Sequence, residues 1–142
     1  MTEELLNRPA VKRVTECLVA AGSAAKVIVL SDTARTAQDA ASSLNCELGA
    51  IVKSLVFAIG GQPVMALVAG DRQCNTKALP AALGMTGKVR RAAADVVREI
   101  TGFSIGGVAP VGHLNDIPLV IDQSLERFEV VYAAAGHPHC VF

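Results

Sequence analysis

Apolar positions along this chain alternate between a helical and a strand-like period. Across Pro9–Ala21 the residues Val11, Val14, Leu18 and Ala21 recur three or four apart with charges between them, which predicts an amphipathic helix ended by Gly22. Lys26–Leu30 (KVIVL) predicts a short buried strand. Ser31, Asp32 and Thr33 are N-cap candidates for an alanine-rich helix reaching about Leu44. Ala50–Ile59 and Pro63–Ala69 are dense in β-branched residues and are separated by Gly60-Gly61-Gln62, which reads as a hairpin. Gly70-Asp71 turns the chain, and Asn75 or Thr76 caps a predicted helix through Leu83, stopped at Gly84. Ala92–Ile100 predicts another helix, closed by Thr101-Gly102, while Pro118–Ile121 and Glu129–Ala134 predict further strands. No internal repeat, low-complexity tract or linker interrupts this order. The expectation is a single α/β-mixed (α+β) domain over residues 1–142 with several antiparallel strands.

One strand breaks its own pattern. In "IVKSLVF" (Ile51–Phe57) alternate residues share a face, so Lys53 falls with Ile51, Leu55, Phe57 and Ile59. The other face holds Ala50, Val52, Ser54, Val56 and Ala58. The ammonium therefore sits on the bulkier, more apolar side. An unpaired buried ammonium is costly, so Lys53 must either snorkel to the surface or face a polar cavity.

Bulk composition narrows the classes. Hydrophobic residues make up 51% and charged residues 18% of 142 residues, which suits a packed globule and argues against disorder. No apolar run approaches the ~20 residues of a membrane span, and MTEELLNRPAVKR lacks the order of a signal peptide, so a cytoplasmic location is expected. The cysteines Cys17, Cys46, Cys74 and Cys140 are scattered without a C-x-x-C pair and are expected to be free thiols. In "GHPHC" a strand would put His137 and His139 on one face and Cys140 on the other. With no evident fourth ligand, neither a metal site nor any cofactor is expected. Net charge is zero, yet Asp71–Arg98 holds six cations (Arg72, Lys77, Lys88, Arg90, Arg91, Arg98) against Asp71 and Asp95, a local +4. Such a patch suits a few phosphates, and equally suits a plain solvated face.

The second unusual stretch is "GFSIGGVAPVGH" (Gly102–His113). Four glycines and a proline favour a tight exposed turn over regular structure. No Gly-Lys-Ser/Thr follows, so it is not a Walker loop, and Pro110 interrupts the helix start that a dinucleotide fingerprint needs. Such a loop can aim consecutive backbone N–H groups at an anion or a polarised carbonyl. Taken alone, it reads as a structural turn. His113 follows it and is read as a surface or core histidine in preference to a proton shuttle.

Taken together in order, "IVKSLVF", "VAGD", a helix with Lys77 and Leu79 ending at Leu83-Gly84, "TGFSIGGVAPVG", "LVIDQSL" and "AAGHPHCVF" resemble the YbaK/prolyl-tRNA-synthetase-associated editing domain family of aminoacyl-tRNA deacylases. The likeness spans roughly residues 33 to 142. It implies a curved, barrel-like mixed sheet flanked by helices and a pocket for the amino-acid end of a charged tRNA. It further implies hydrolysis of the ester of a mischarged tRNA, foremost tRNA(Pro) carrying a small amino acid, by positioned water without a protein nucleophile. Residue by residue, Lys53 matches the family lysine and Ser54 the polar position beside it. Gly106, Gly107 and Pro110 match the Gly-x-x-x-Pro loop, and Asp122 and Ser124 match an Asp-x-Ser near a late strand. Many relatives continue into a final helix where this chain stops at Phe142, so the resemblance does not extend to the far wall of the pocket or to the specificity that wall sets.

On this reading Lys53, Gly106 and Gly107 are the catalytic candidates. Ser54, Val108, Ala109, Pro110, Asp122 and Ser124 are substrate-binding candidates. Arg72, Lys77, Lys88, Arg90 and Arg91 are the tRNA-binding candidates. The expected partner is the acceptor end of aminoacyl-tRNA, with an aminoacyl-tRNA synthetase as a further candidate, and neither DNA nor a membrane. An aminoacyl ester is already a reactive acyl donor, so a lysine and loop N–H groups can suffice where no Ser–His–Asp triad is evident. Two alternatives stand beside this: a non-catalytic module that binds charged tRNA or a synthetase, and a Schiff-base enzyme using a desolvated Lys53.

Overall fold

The computed structural model describes residues 2–142. In chain order its elements are α1 (Thr2–Leu6), α2 (Pro9–Ala20), β1 (Ile28–Val29), α3 (Ala37–Leu44), β2 (Ile51–Ile59), β3 (Gln62–Ala69), α4 (Leu79–Leu83), β4 (Val89–Arg91), α5 (Ala94–Thr101), β5 (Leu119–Ile121), β6 (Tyr132–His137) and β7 (Cys140–Val141). The strands form one mixed sheet in the order β1-β7-β6-β2-β3-β5, with β4 also paired to β2. The pairs β2–β6 and β3–β5 are parallel and the others antiparallel. Strands β1 and β5 end the path unjoined, so the sheet is mixed and helix-flanked but does not close into a barrel.

The β2–β3 hairpin is the spine of the fold. Gly60 and Gly61 both take positive φ (57° and 87°), the backbone that a tight hairpin of matching twist demands. Its register is continuous from Val52↔Ala69 to Ile59↔Gln62. Both faces are covered. Val56, Met65 and Leu67 pack under Val11, Val14 and Leu18 of α2, with Phe103, Ala135 and Cys140. Phe57, Ile59, Val64, Ala66 and Val68 pack with Leu79. Helix α3 closes a smaller cluster of Ala40 and Ala41 on Ile51, with Tyr132 packed against it.

Several boundaries depart from expectation, each for a local reason. Thr36 caps α3, not the expected Ser31, Asp32 or Thr33. Its Oγ1 accepts the Asp39 N–H at 3.1 Å. Asn45, at φ 52°, ends that helix. The helix expected from Asn75 shrinks to α4, because Pro80 lacks an N–H and is accommodated only in the first turn. The strand expected at Glu129–Ala134 slides to β6, leaving Val130 and Val131 exposed ahead of it.

One topological detail makes the site. Strand β3 covers one edge of β2. The opposite edge is shared end to end, β6 pairing Ile51 and Val52, and β4 pairing Phe57 to Ile59. Between them, β2 has no strand partner on that edge.

Candidate active site

The gap opens into a cavity of about 350 Å³, within the usual range for small-molecule sites. Its floor is Lys53, Ser54 and Leu55 of β2. Arg91 of β4 and Tyr132 and Ala133 of β6 form two sides, Arg35 and Thr36 a third, and Ile105, Gly106 and Val108 cover it. Three of these lining residues, Arg35, Lys53 and Arg91, are cationic and none is an aspartate or glutamate. The environment therefore favours an anionic or carbonyl-bearing ligand.

The cation on the apolar face has a local answer. Lys53 is only half-buried, and its Nζ donates to the backbone carbonyl of Arg72 at 2.5 Å. Its stem crosses the apolar face and the head reaches the turn after β3. Arg91 lays its guanidinium over the Phe57 ring, 5.4 Å from the centroid, which orients it at the cavity wall. Ser54 Oγ is buried and without a hydrogen-bond partner.

The glycine loop is held by close backbone approach. Gly106 has φ 95°, and a Cβ there would meet only the Arg35 side chain, at 3.4 Å. Gly107 lies against β6, where a Cβ would meet His137 N at 2.9 Å and His137 Cα at 3.0 Å. Its own N–H donates to Ser104 O at 3.0 Å, which closes a turn and withdraws that donor from the cavity. His113 braces the loop from behind: Nε2 lies 2.7 Å from Ala109 O, and the ring stands edge-on to Phe103 at 6.0 Å.

The structure thus gathers Lys53, Ser54, Gly106, Val108 and Arg91 on one cavity. Gly107 and the fully buried Ala109 support the loop from beneath, and Pro110 stands at its exit. Asp122 lines a second cavity of about 320 Å³ together with Arg72, whose carbonyl the Lys53 ammonium reaches. Its Oδ2 accepts the Ala69 N–H (3.0 Å) and its Oδ1 the Ser124 N–H (2.8 Å), tying the end of β3 to the turn Gln123–Arg127. Burial pushes the Asp122 carboxyl upward, but those N–H groups and Arg72 outweigh it and hold it below the usual range. Ser124 Oγ is buried without a partner. Lys77, Lys88 and Arg90 are outside both cavities. Arg35, Thr36 and Tyr132 also line the cavity and carry no signal in the sequence, since nothing in their local pattern separates them from ordinary loop and strand residues.

The histidine pair is structural in geometry. His137 and His139 stack at 5.6 Å across the β6–β7 turn, and the His139 N–H donates to His137 Nδ1. Burial pushes the His137 imidazole below its ordinary value, and Arg8, His139 and Arg35 add to this. Among the described residues, no group of three or more His, Cys, Asp or Glu converges as a metal site. No helix among them is long and apolar enough to cross a membrane.

Comparison with known proteins completes the picture. Residues 31–142 match the aminoacyl-tRNA editing domain. The uncharacterized protein YwhH of Bacillus subtilis is 36% identical over 102 residues, 71% of this chain and 64% of that protein. A proline–tRNA ligase of Citrifermentans bemidjiense is 36% identical over 92 residues, 65% of this chain but 16% of the ligase. This chain thus spans less than two thirds of either relative. A solved structure described as a candidate trans-editing enzyme for prolyl tRNA synthetase superposes with a TM-score of 0.86 at 38% identity, covering 95% of this chain and 85% of that one. With the matched region spanning β2, the glycine loop and the closing strands, the chain belongs to the aminoacyl-tRNA editing domain family.

Proposed function

We propose that this protein is an aminoacyl-tRNA deacylase that hydrolyses mischarged tRNA in trans, with tRNA(Pro) carrying a small amino acid as its substrate. One observation carries the reading. Lys53 and Ser54 of β2 and Gly106 of the glycine loop, which match the family's motif positions, come from two distant segments and line a single cationic cavity. The kinship with proline–tRNA ligases and with a candidate trans-editing enzyme directs the choice of tRNA.

In this mechanism the cavity holds the terminal aminoacyl-adenosine ester, and Lys53, Arg35 and Arg91 supply the field that favours its phosphate and developing negative charge. A water attacks the ester carbonyl, its proton passes toward the departing ribose oxygen, and free amino acid and tRNA separate. No protein nucleophile is required, because the aminoacyl ester is already activated and positioning supplies most of the remaining acceleration. The acceptor stem reaches the basic segment that contains Lys88, Arg90 and Arg91.

The test is a deacylation panel of tRNA(Pro) charged with alanine, cysteine, serine, 2-aminobutyrate or proline. The expected outcome is turnover of one or more small amino acids with prolyl-tRNA spared. Tight binding without turnover of any member would replace this reading with that of a binding module.

A further inference from the structure

The gap in the sheet leaves a main-chain rung unfilled. Ile51 C=O accepts the Gly70 N–H, which fixes which residues of β2 turn their backbone groups toward β3. By alternation Lys53 and Leu55 do so too, while Val52, Ser54 and Val56 turn theirs to the opposite edge. There Val52 is bridged to Ala133, and Val56 C=O accepts the Ala92 N–H. Strand β6 pairs with β2 no further than that bridge, and its own pairing with β7 shifts register between Ala134 and His137. Ser54, between these two anchors, has no strand partner on this edge, and no loop or side-chain hydrogen bond among the described residues reaches its main chain. A residue without a strand partner in the middle of a covered sheet is rare, and here that residue lines the cavity.

Resting on the deacylase reading, we propose that the Ser54 main chain is the docking rung for the aminoacyl group. Ser54 C=O accepts from the free α-ammonium, and Ser54 N–H donates to the ester carbonyl oxygen. One amino-acid residue carries both groups at the spacing of a sheet residue, so the substrate fills the missing rung as an added strand would. The N–H is then on the oxygen where negative charge grows, the role the Gly107 N–H is unable to fill. The ligand class is an α-amino acyl ester with an unblocked amine, whatever its side chain. The rung recognises that the acyl group is an amino acid, and the cavity walls choose which one.

Two measurements test this. The first compares alanyl-tRNA(Pro) with propionyl-tRNA(Pro), which lacks only the amine, each rate normalised to its own uncatalysed hydrolysis. A loss of about 10²-fold or more is expected for the propionyl ester, because the Ser54 carbonyl is left without a partner. Equal normalised rates overturn the rung. If alanyl-tRNA is not turned over either, the comparison is made with whichever small aminoacyl ester of the panel is a substrate and its deaminated counterpart. Absence of turnover for all of them refutes the deacylase reading instead, and the second measurement then decides. In the free protein the Ser54 amide should exchange with solvent deuterium faster than those of Lys53 and Leu55. The alanyl amide of 3′-amino-3′-deoxyadenosine should slow it selectively. A Ser54 amide already as protected as its neighbours, or unmoved by the analogue, overturns the proposal.

Discussion

Adding a single methyl group at Gly107 separates a catalytic loop from a scaffold loop. A Cβ there meets His137 N at 2.9 Å, His137 Cα at 3.0 Å and Gly136 C at 3.1 Å, all backbone atoms that have no rotamer to change. Comfortable separation is roughly 3.5–4.0 Å, so loop and β6 must part by about 0.5–1 Å. Overpacking of this kind costs about 1–3 kcal/mol, or roughly 3–10 °C in melting temperature for a domain of this size. The same shift moves Gly106 and Val108, which cover the cavity, and a displacement of ~1 Å at a positioned site costs on the order of 10²-fold in rate. The assay is single-turnover deacylation alongside thermal melting for Gly107→Ala. Gly61→Ala is the control: its φ of 87° strains the alanine, yet nothing lies within 4 Å and the hairpin tip is not part of the cavity lining. The control should lose stability and keep its rate. If Gly107→Ala likewise melts earlier with an unchanged rate, the loop is scaffold and the catalytic reading retreats to Lys53 and the β2 edge.

Other outcomes follow from the same geometry. Lys53→Ala should lose most deacylation with little change in melting temperature, since its head binds one exposed carbonyl. Lys53→Arg should also fail, because a planar fork does not replace a compact ammonium; near-normal turnover in either variant refutes the role. Arg90→Glu should raise KM for tRNA and flatten its salt dependence at nearly constant kcat, whereas Arg91→Glu should lower kcat too, because Arg91 lines the cavity; identical effects would contradict this division. The depressed His137 pKa means that the unfolded chain takes up that proton first. Stability should therefore fall as pH drops through the ordinary value of 6.5, the loss levelling off below the lower folded value. His137→Asn keeps an acceptor for the His139 N–H without titrating, so its melting temperature should vary less between about pH 7 and pH 5; an unchanged slope would exonerate His137.

What was legible in the sequence was whatever local chemistry decides. The β2–β3 hairpin followed from two glycines between β-branched runs, and α2 followed from the spacing of Val11, Val14 and Leu18. The oddity of Lys53 was visible because a strand has a strict period of two. The ordered motifs carried the family, with residues 31–142 matching the editing domain. Other features were decided by partners distant in sequence. Strand β4 exists because Val89–Arg91 pairs with Phe57–Ile59, and its two arginines give it no strand signature of its own. Pairing along β2 placed β6 and β4 at opposite ends of one edge and left Ser54 bare between them. Arg35 lines the cavity beside Gly106, over seventy residues away, where an added Cβ would come within 3.4 Å of the Arg35 stem. The resemblance made Asp122 a substrate-binding candidate; the fold spends both its carboxylate oxygens on Ala69 and Ser124 and sets it on a second cavity with Arg72, whose carbonyl the Lys53 ammonium reaches. Periodicity reports which face a residue occupies. The free edge of a strand is set by which other strands arrive, and that depends on contacts between segments that no local pattern encodes.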